Sequence, residues 1–315
     1  MIISIVFIIL GFLFLIKGAD WMIRGATLLA KKNNISDLAI GLTIVAFGTS
    51  APEVIVNIIA SFEGHSEIVF GNVIGSNNFN LFIILGISGL ILPITVQSKV
   101  VKNEIPISLL AGILLLILVS NFFSSSNGIS RLESIFLLLL FGLFLFYIYN
   151  QAKDDPKVPD SNMVLTSNLR IWFLIIIGLI GLMIGGKLVV DNAVNLATSL
   201  GISKKVIGLT IIAAGTSLPE LVTSVVAALK KNSDMVIGNV IGSNIFNILF
   251  VLSTSALIYP LDYTSNFDYS IYFFIGGTVF LLFFMFTGKR LKLDRWEASL
   301  LLIAYIIFSA YLIGK

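Results

Sequence analysis

The chain carries one passage twice. Shifting the sequence by 167 residues lays Ile35 to Asn80 over Ile202 to Asn247 without a gap, and 25 of the 46 positions are identical. Identity is densest in two runs: GLTIVAFGTSAPE (Gly41 to Glu53) against GLTIIAAGTSLPE (Gly208 to Glu220), and GNVIGSNNFN (Gly71 to Asn80) against GNVIGSNIFN (Gly238 to Asn247). A repeat this faithful is not chance, and it means that the fold is assembled from two copies of one unit.

Composition places that unit in a bilayer. Of the 315 residues 57% are apolar and 12% charged, with mean hydropathy +1.03, whereas a soluble domain carries about 25% charge. A membrane span takes about 20 residues, and ten candidate helices cover roughly 2–30, 36–62, 67–93, 103–123, 129–150, 169–199, 203–229, 234–259, 268–287 and 296–313. No sizeable extramembrane domain fits between them. The longest polar stretch, Gln151 to Asn168, holds Lys153, Asp154, Asp155, Pro156, Lys157, Pro159 and Asp160, the composition of a linker. It divides the chain into a first five-helix repeat, 1–150 with its motif at 35–80, a linker, 151–168, and a second repeat, 169–315 with its motif at 202–247. The first span has no basic residue ahead of it and no small-x-small cleavage site, so it reads as a helix and not a signal peptide.

Lysine and arginine sort by loop. Thirteen fall on one side (Lys31, Lys32, Lys99, Lys102, Lys153, Lys157, Arg170, Lys230, Lys231, Lys289, Arg290, Lys292, Arg295) and four on the other (Arg131, Lys204, Lys205, Lys315). The positive-inside rule then predicts a cytoplasmic linker and two extracellular termini in the cell membrane. The net charge of +3 is explained by this orientation, so no nucleic-acid partner is expected. Five spans per half is an odd number, so the second copy must enter the membrane from the opposite side. The expected fold is an all-α membrane protein of ten transmembrane helices, two inverted five-helix repeats with broken helices at the centre, a recurring plan of secondary transporters.

The repeated runs supply the chemistry. Glu53 and Glu220 lie at hydrocarbon depth, where a carboxylate costs at least about 2.5 kcal/mol. Each follows Gly-Thr-Ser-x-Pro, and Pro52 and Pro219 lack the amide hydrogen that would bond the carbonyls of Gly48 and Gly215. Irregular backbone of this kind is tolerated in a membrane only when buried in protein or lining a wet cavity. Thr49 and Ser50, four and three residues before Glu53, can share its face in an intact helix. Ser76 and Asn80 are four apart, as are Ser243 and Asn247, while Gly71, Gly75, Gly238 and Gly242 form small-xxx-small stripes for close helix approach. Carboxylates, amide oxygens, hydroxyls and carbonyls are hard donors suited to calcium and sodium. The absence of cysteine and the single histidine, His65, exclude disulfides, thiolate metal sites and a zinc cluster.

The remaining polar groups have plainer readings. Asn72, Asn77, Asn239 and Asn244 recur in both copies at spacings that suit helix–helix bonding. Lys17 with Asp20, and Lys187 with Asp191, are three and four apart and can neutralise one another along a helix. His65, beside Glu63 and Glu67, reads as part of a solvated extracellular turn. Gly18 and Gly185, related by the same offset, suit the long first helix of each half to sliding.

The paired GTSxPE and GNVIGSN motifs and the ten-span layout resemble the calcium/cation antiporter superfamily, specifically its sodium/calcium exchanger branch. That resemblance implies alternating access, with sodium entering to drive calcium out electrogenically. It implies calcium ligands at the Glu53 and Glu220 carboxylates and the Thr49 and Thr216 backbone oxygens. Sodium would use the glutamates with Ala46, Ser50, Ser76, Ala213, Ser217 and Ser243, and Asn80 and Asn247 would complete the cluster. Potassium-dependent relatives carry an aspartate where this chain has Asn247, so exchange is expected to be potassium-independent. The ions are cargo and no cofactor is expected; neither is a regulatory domain or an enzymatic activity, and a monomer would suffice. A proton/calcium antiporter and a cation channel are the alternative readings.

Overall fold

The computed structural model describes residues 2–33, 35–120, 128–154, 167–200, 213–287 and 290–314. The helices in chain order are α1 (Ile2–Lys32), α2 (Asp37–Thr49), α3 (Ala51–Phe62), α4 (Ser66–Ile91), α5 (Ser98–Val119), α6 (Arg131–Asp154), α7 (Asn168–Ser199), α8 (Ala213–Gly215), α9 (Leu218–Leu229), α10 (Ser233–Ile258), α11 (Ser265–Phe284) and α12 (Arg295–Gly314). Eight of these are long and apolar enough to cross a membrane. The pair α2 and α3, bent by 48° at Ser50, makes a ninth span, and α9 is a shorter apolar helix. The protein is therefore a multi-span, all-helical membrane protein. The first part of the seventh candidate span, 203–212, and most of the linker, 155–166, lie outside the described residues; α6 itself runs on to Asp154, four residues into the stretch read as linker.

The apolar residues divide these helices into a centre and a surround. α10 and α4 are the most enclosed spans, whereas α1 and α12 present most of their apolar surface outward, as helices solvated by lipid do. Among the described residues two short antiparallel ribbons join the halves. Ile94–Thr95 (β1) pairs with Lys292–Leu293 (β4), and Gly128–Ile129 (β2) with Leu261–Asp262 (β3).

Glycine sets the closest approaches. Along α1, Gly11 faces Gly185 and Val189, Gly18 faces Gly178 and Leu182, and Gly25 faces Ile171 and Ile175. Numbers rise along one helix and fall along the other, so α1 and α7 are antiparallel. A Cβ on Gly18 would stand 2.7 Å from the Gly178 carbonyl oxygen, so no larger residue fits without moving the helices. In the centre, Gly238 and Gly242 of α10 press on the backbone of Gly41 and Leu42 of α2. The segment equivalent to Gly41 and Leu42 in the second half, 208–209, lies outside the described residues.

The breaks fall where the prolines put them. Ser50 (φ −81°, ψ 9°) interrupts the chain between α2 and α3, and Ser217 (φ −87°, ψ 7°) does the same ahead of α9, with Pro52 and Pro219 in the first turn of the helix that follows. Among the described residues three π-helical segments accompany them, Gly41–Val45, Phe79–Ile84 and Asn247–Leu252. No local residue pattern announces them. Such wide turns concentrate at functional sites because they rotate the following side chains out of ordinary register.

Candidate ion-binding site

The breaks place Glu53 and Glu220 in the first turns of α3 and α9, both 1% exposed. Each carboxylate is held from the other half of the chain. Ser50 donates to Glu220 Oε1 at 2.7 Å, and Ser217 donates to Glu53 Oε1 at 3.2 Å. Ser76 also lies 3.5 Å from Glu53 Oε1, and the hydroxyls of Ser50 and Ser243, and of Ser217 and Ser76, are 3.1 Å apart. The helical spacing that puts Ser50 on the face of Glu53 gives way to this arrangement because the helix stops at Ser50.

A second layer fixes the amides. Asn80 donates its Nδ2 hydrogen to Asn244 Oδ1 at 3.2 Å, and Asn247 donates to Asn77 Oδ1 at 3.1 Å. Asn77 in turn donates to the Asn244 carbonyl. With their NH₂ groups committed, Asn80 and Asn247 keep Oδ1 buried and without a protein partner, and the same is true of Oε2 on Glu53 and on Glu220. Four buried acceptor oxygens are thus unmatched by any donor. Leaving such groups unpaired is costly, and two uncompensated buried carboxylates cost several kcal/mol more.

The threonines are braced similarly. Thr49 lies 3.1 Å from Asn239 Oδ1, and Thr216 donates to Asn72 Oδ1 at 3.1 Å. Asn239 also donates to the Glu220 carbonyl (3.3 Å) and Ser224 Oγ (2.9 Å). The four asparagines read from sequence as helix–helix bonds do join helices, and in addition they orient residues of the candidate site. Spacing could not show that, since every partner but Glu220 and Ser224 belongs to the other half. Thr49, Ser50, Ser76, Ser217, Ser243, Asn80, Asn247 and Ala46 are all buried around the glutamates' helices, and Thr216 is half-buried. Ala213 opens α8, two residues before Gly215.

Outside this cluster, Asp20 does not pair with Lys17. It takes Arg24 (3.1 Å) and Lys230 (2.7 Å) instead, because i,i+4 geometry and a neighbouring helix end outcompete the i,i+3 lysine. The pairing of Lys187 with Asp191 is not among the ion pairs of the described residues. His65 lies 3.6 Å from Glu63, both well exposed.

A multi-span helical fold that encloses unmatched oxygen donors at its centre defines a membrane transporter of cations. The chain belongs to the sodium/calcium exchanger protein family, whose model matches residues 3–150 and 170–314. Among its relatives, the sodium/calcium exchanger MaX1 of Methanosarcina acetivorans is 32% identical over 97% of each chain, and the inner membrane protein YrbG of Escherichia coli is 36% identical over 82% of this chain and 81% of its own. Among solved structures, the sodium-calcium exchanger NCX_Mj superposes with a TM-score of 0.85 at 35% identity, covering 98% of both chains.

Proposed function

We propose that the protein exchanges sodium for calcium across the cell membrane by alternating access, electrogenically and without potassium. The observation that carries this reading is the set of four unpartnered oxygens, Glu53 Oε2, Glu220 Oε2, Asn80 Oδ1 and Asn247 Oδ1, contributed equally by both halves. Two carboxylates balance one calcium ion, and the surrounding hydroxyls of Ser50, Ser76, Ser217 and Ser243 add donors of the length and hardness that sodium accepts. Competition between the two ions for one cage is what couples their movements. The carbonyls of Thr49 and Thr216 are proposed as calcium ligands, and those of Ala46 and Ala213 as sodium ligands. The neutral amide of Asn247 leaves no third carboxylate to balance an added potassium ion. NCX_Mj and MaX1, named as sodium/calcium exchangers, support the same choice of ions.

The proposed architecture is ten spans in two inverted repeats, 1–150 and 169–315, joined by a cytoplasmic linker, with both termini outside. The offset of 167 residues relates the paired hydrogen bonds of the site, as it does the two breaks, and the lysine and arginine distribution gives the sidedness. The tightly paired α1 and α7 slide as one unit over the centre when the cage is filled. Ions are the cargo, no cofactor is needed, and the single chain suffices.

The test is isotopic calcium flux into liposomes, with sodium, potassium and proton gradients varied separately. Calcium uptake driven by an outward-directed sodium gradient, indifferent to potassium and enhanced by an interior-positive potential that draws the excess positive charge out with sodium, supports the reading, and its loss in Glu53→Gln and Glu220→Gln with folding intact ties it to the cage. Uptake driven by pH alone would make the protein a proton/calcium antiporter. Single-channel currents without counterflow would make it a channel.

A further inference from the structure

The ion pair at Asp20 has a counterpart with every sign reversed. Asp20 Oδ1 is 2.7 Å from Lys230 Nζ, which also lies 3.3 Å from the Asp20 carbonyl oxygen, and Arg24 Nε is 3.1 Å from Asp20 Oδ2. Lys230 caps the C-terminal end of α9, the helix whose first turn carries Glu220. Under the offset of 167 residues, Asp20 corresponds to Lys187, Arg24 to Asp191, and Lys230 to Glu63. Glu63 likewise caps the C-terminal end of α3, the helix that carries Glu53. All three positions keep a charge and all three invert it.

The two sets are in different states. The first is closed, and α1 lies along α9. In the second, Lys187 is exposed, the Glu63 side chain is 62% exposed with His65 beside it, and α7 barely touches α3 among the described residues. No ion pair of the described residues joins Lys187 to Asp191 or to Glu63.

Resting on the alternating-access reading above, we propose that Asp20–Lys230 and Lys187–Glu63 are alternating latches, residues of the transport cycle that hold the cytoplasmic and extracellular faces shut in turn. Movement of the paired α1 and α7 that draws Asp20 away from Lys230 carries Lys187 toward Glu63. One partly exposed pair opens as its equivalent closes, so neither state is trapped and the occupant of the cage decides the balance. The sign reversal has its own cause. The partner on the centre's side stands at a loop, and loops favour Lys and Arg on the cytoplasmic face but not on the outer one. The sliding helix must carry the complementary charge in each case.

The cysteine-free chain allows a direct test by pulsed electron paramagnetic resonance on spin-labelled protein in nanodiscs. One label pair, Phe62→Cys with Leu200→Cys, spans the ends of α3 and α7; the pair related by the offset, Leu229→Cys with Asn33→Cys, spans the ends of α9 and α1. Asp20→Asn or Lys230→Gln should lower the ratio of cytoplasmic-closed to extracellular-closed protein by about two- to fivefold, the range an exposed ion pair supports. Lys187→Gln or Glu63→Gln should raise it comparably. Replacing the first set by the second, Asp20→Lys with Arg24→Asp and Lys230→Glu, should return the ratio to that of the parent and so separates pairing from misfolding. Unmoved ratios, or shifts in the same direction for both sets, would overturn the latches while sodium-driven calcium uptake by the parent left the exchange reading standing. Opposite shifts in a parent that shows no such uptake would support the latches and sink the exchange reading.

Discussion

The Ser50 hydroxyl donates a 2.7 Å hydrogen bond to Glu220, a carboxylate 170 residues further along the chain. The equivalent bond from Ser217 to Glu53 is longer, at 3.2 Å. Each half therefore orients the other's acid, and neither half holds a finished site by itself.

The unequal lengths make a graded prediction. Hydrogen bonds to charged groups contribute about 2 kcal/mol, which corresponds to roughly thirtyfold in affinity. Ser50→Ala should raise the sodium concentration for half-maximal exchange by about that factor, and Ser217→Ala by less. Sodium titration of calcium flux in liposomes measures both. An equal or reversed ranking would contradict the geometry.

The asparagine braces are unequal too. Asn239 serves Thr49, the Glu220 carbonyl and Ser224, whereas Asn72 accepts only from Thr216 and its Nδ2 is buried without a partner. The difference arises at one position. Ser224 corresponds to Asn57, whose Nδ2 donates to the Glu53 carbonyl and whose Oδ1 is itself unpartnered. Asn239→Ala should therefore slow exchange more than Asn72→Ala, by about thirtyfold if two bonds of roughly 1 kcal/mol separate them. Initial rates of calcium uptake at equal protein incorporation decide the matter.

What the sequence made legible was whatever one half states locally. The repeat, the proline breaks and the acids could be read because each rests on adjacent residues. The partners of those acids could not, because spacing along a helix ranks Ser50 with Glu53 and Lys17 with Asp20. The broken helix and the packing of α1 on α9 pair Ser50 with Glu220 and Asp20 with Lys230. The π turns were equally hidden. Phe79–Ile84 and Asn247–Leu252 are apolar runs that each contain one asparagine, Asn80 and Asn247, and those asparagines bond residues of the other half.

Lys231 offers a stability test away from the ions. It sits at φ +59°, a left-handed conformation, where the equivalent residue of the first half is Gly64 at φ +74°. A side chain there is strained by about 1 kcal/mol or more, offset in part by the greater freedom of glycine in the unfolded chain. Lys231→Gly should raise the melting temperature in detergent by about 1–2 °C and leave calcium flux unchanged. Thermal unfolding followed by size-exclusion recovery measures it, and a lowered midpoint would show that the lysine side chain contributes more than its backbone strain removes.

The α1–α7 contact makes the sharpest packing prediction. A methyl group on Gly18 would meet the Gly178 carbonyl oxygen at 2.7 Å and the Leu182 nitrogen at 2.8 Å. These are backbone atoms of a helix and cannot swing aside as a side chain would. Gly18→Ala must therefore push the two helices apart, at a cost of about 1–3 kcal/mol, and slow exchange if the pair moves as one body. Gly142 of α6 is the matched control. Nothing stands within 4 Å of the methyl that alanine would add there, so Gly142→Ala should leave exchange intact and stabilise the helix by about 0.5–1 kcal/mol. Melting and calcium flux measured on the two variants side by side test both halves of the argument, and equal behaviour of the pair would show that the glycine contact carries no special constraint.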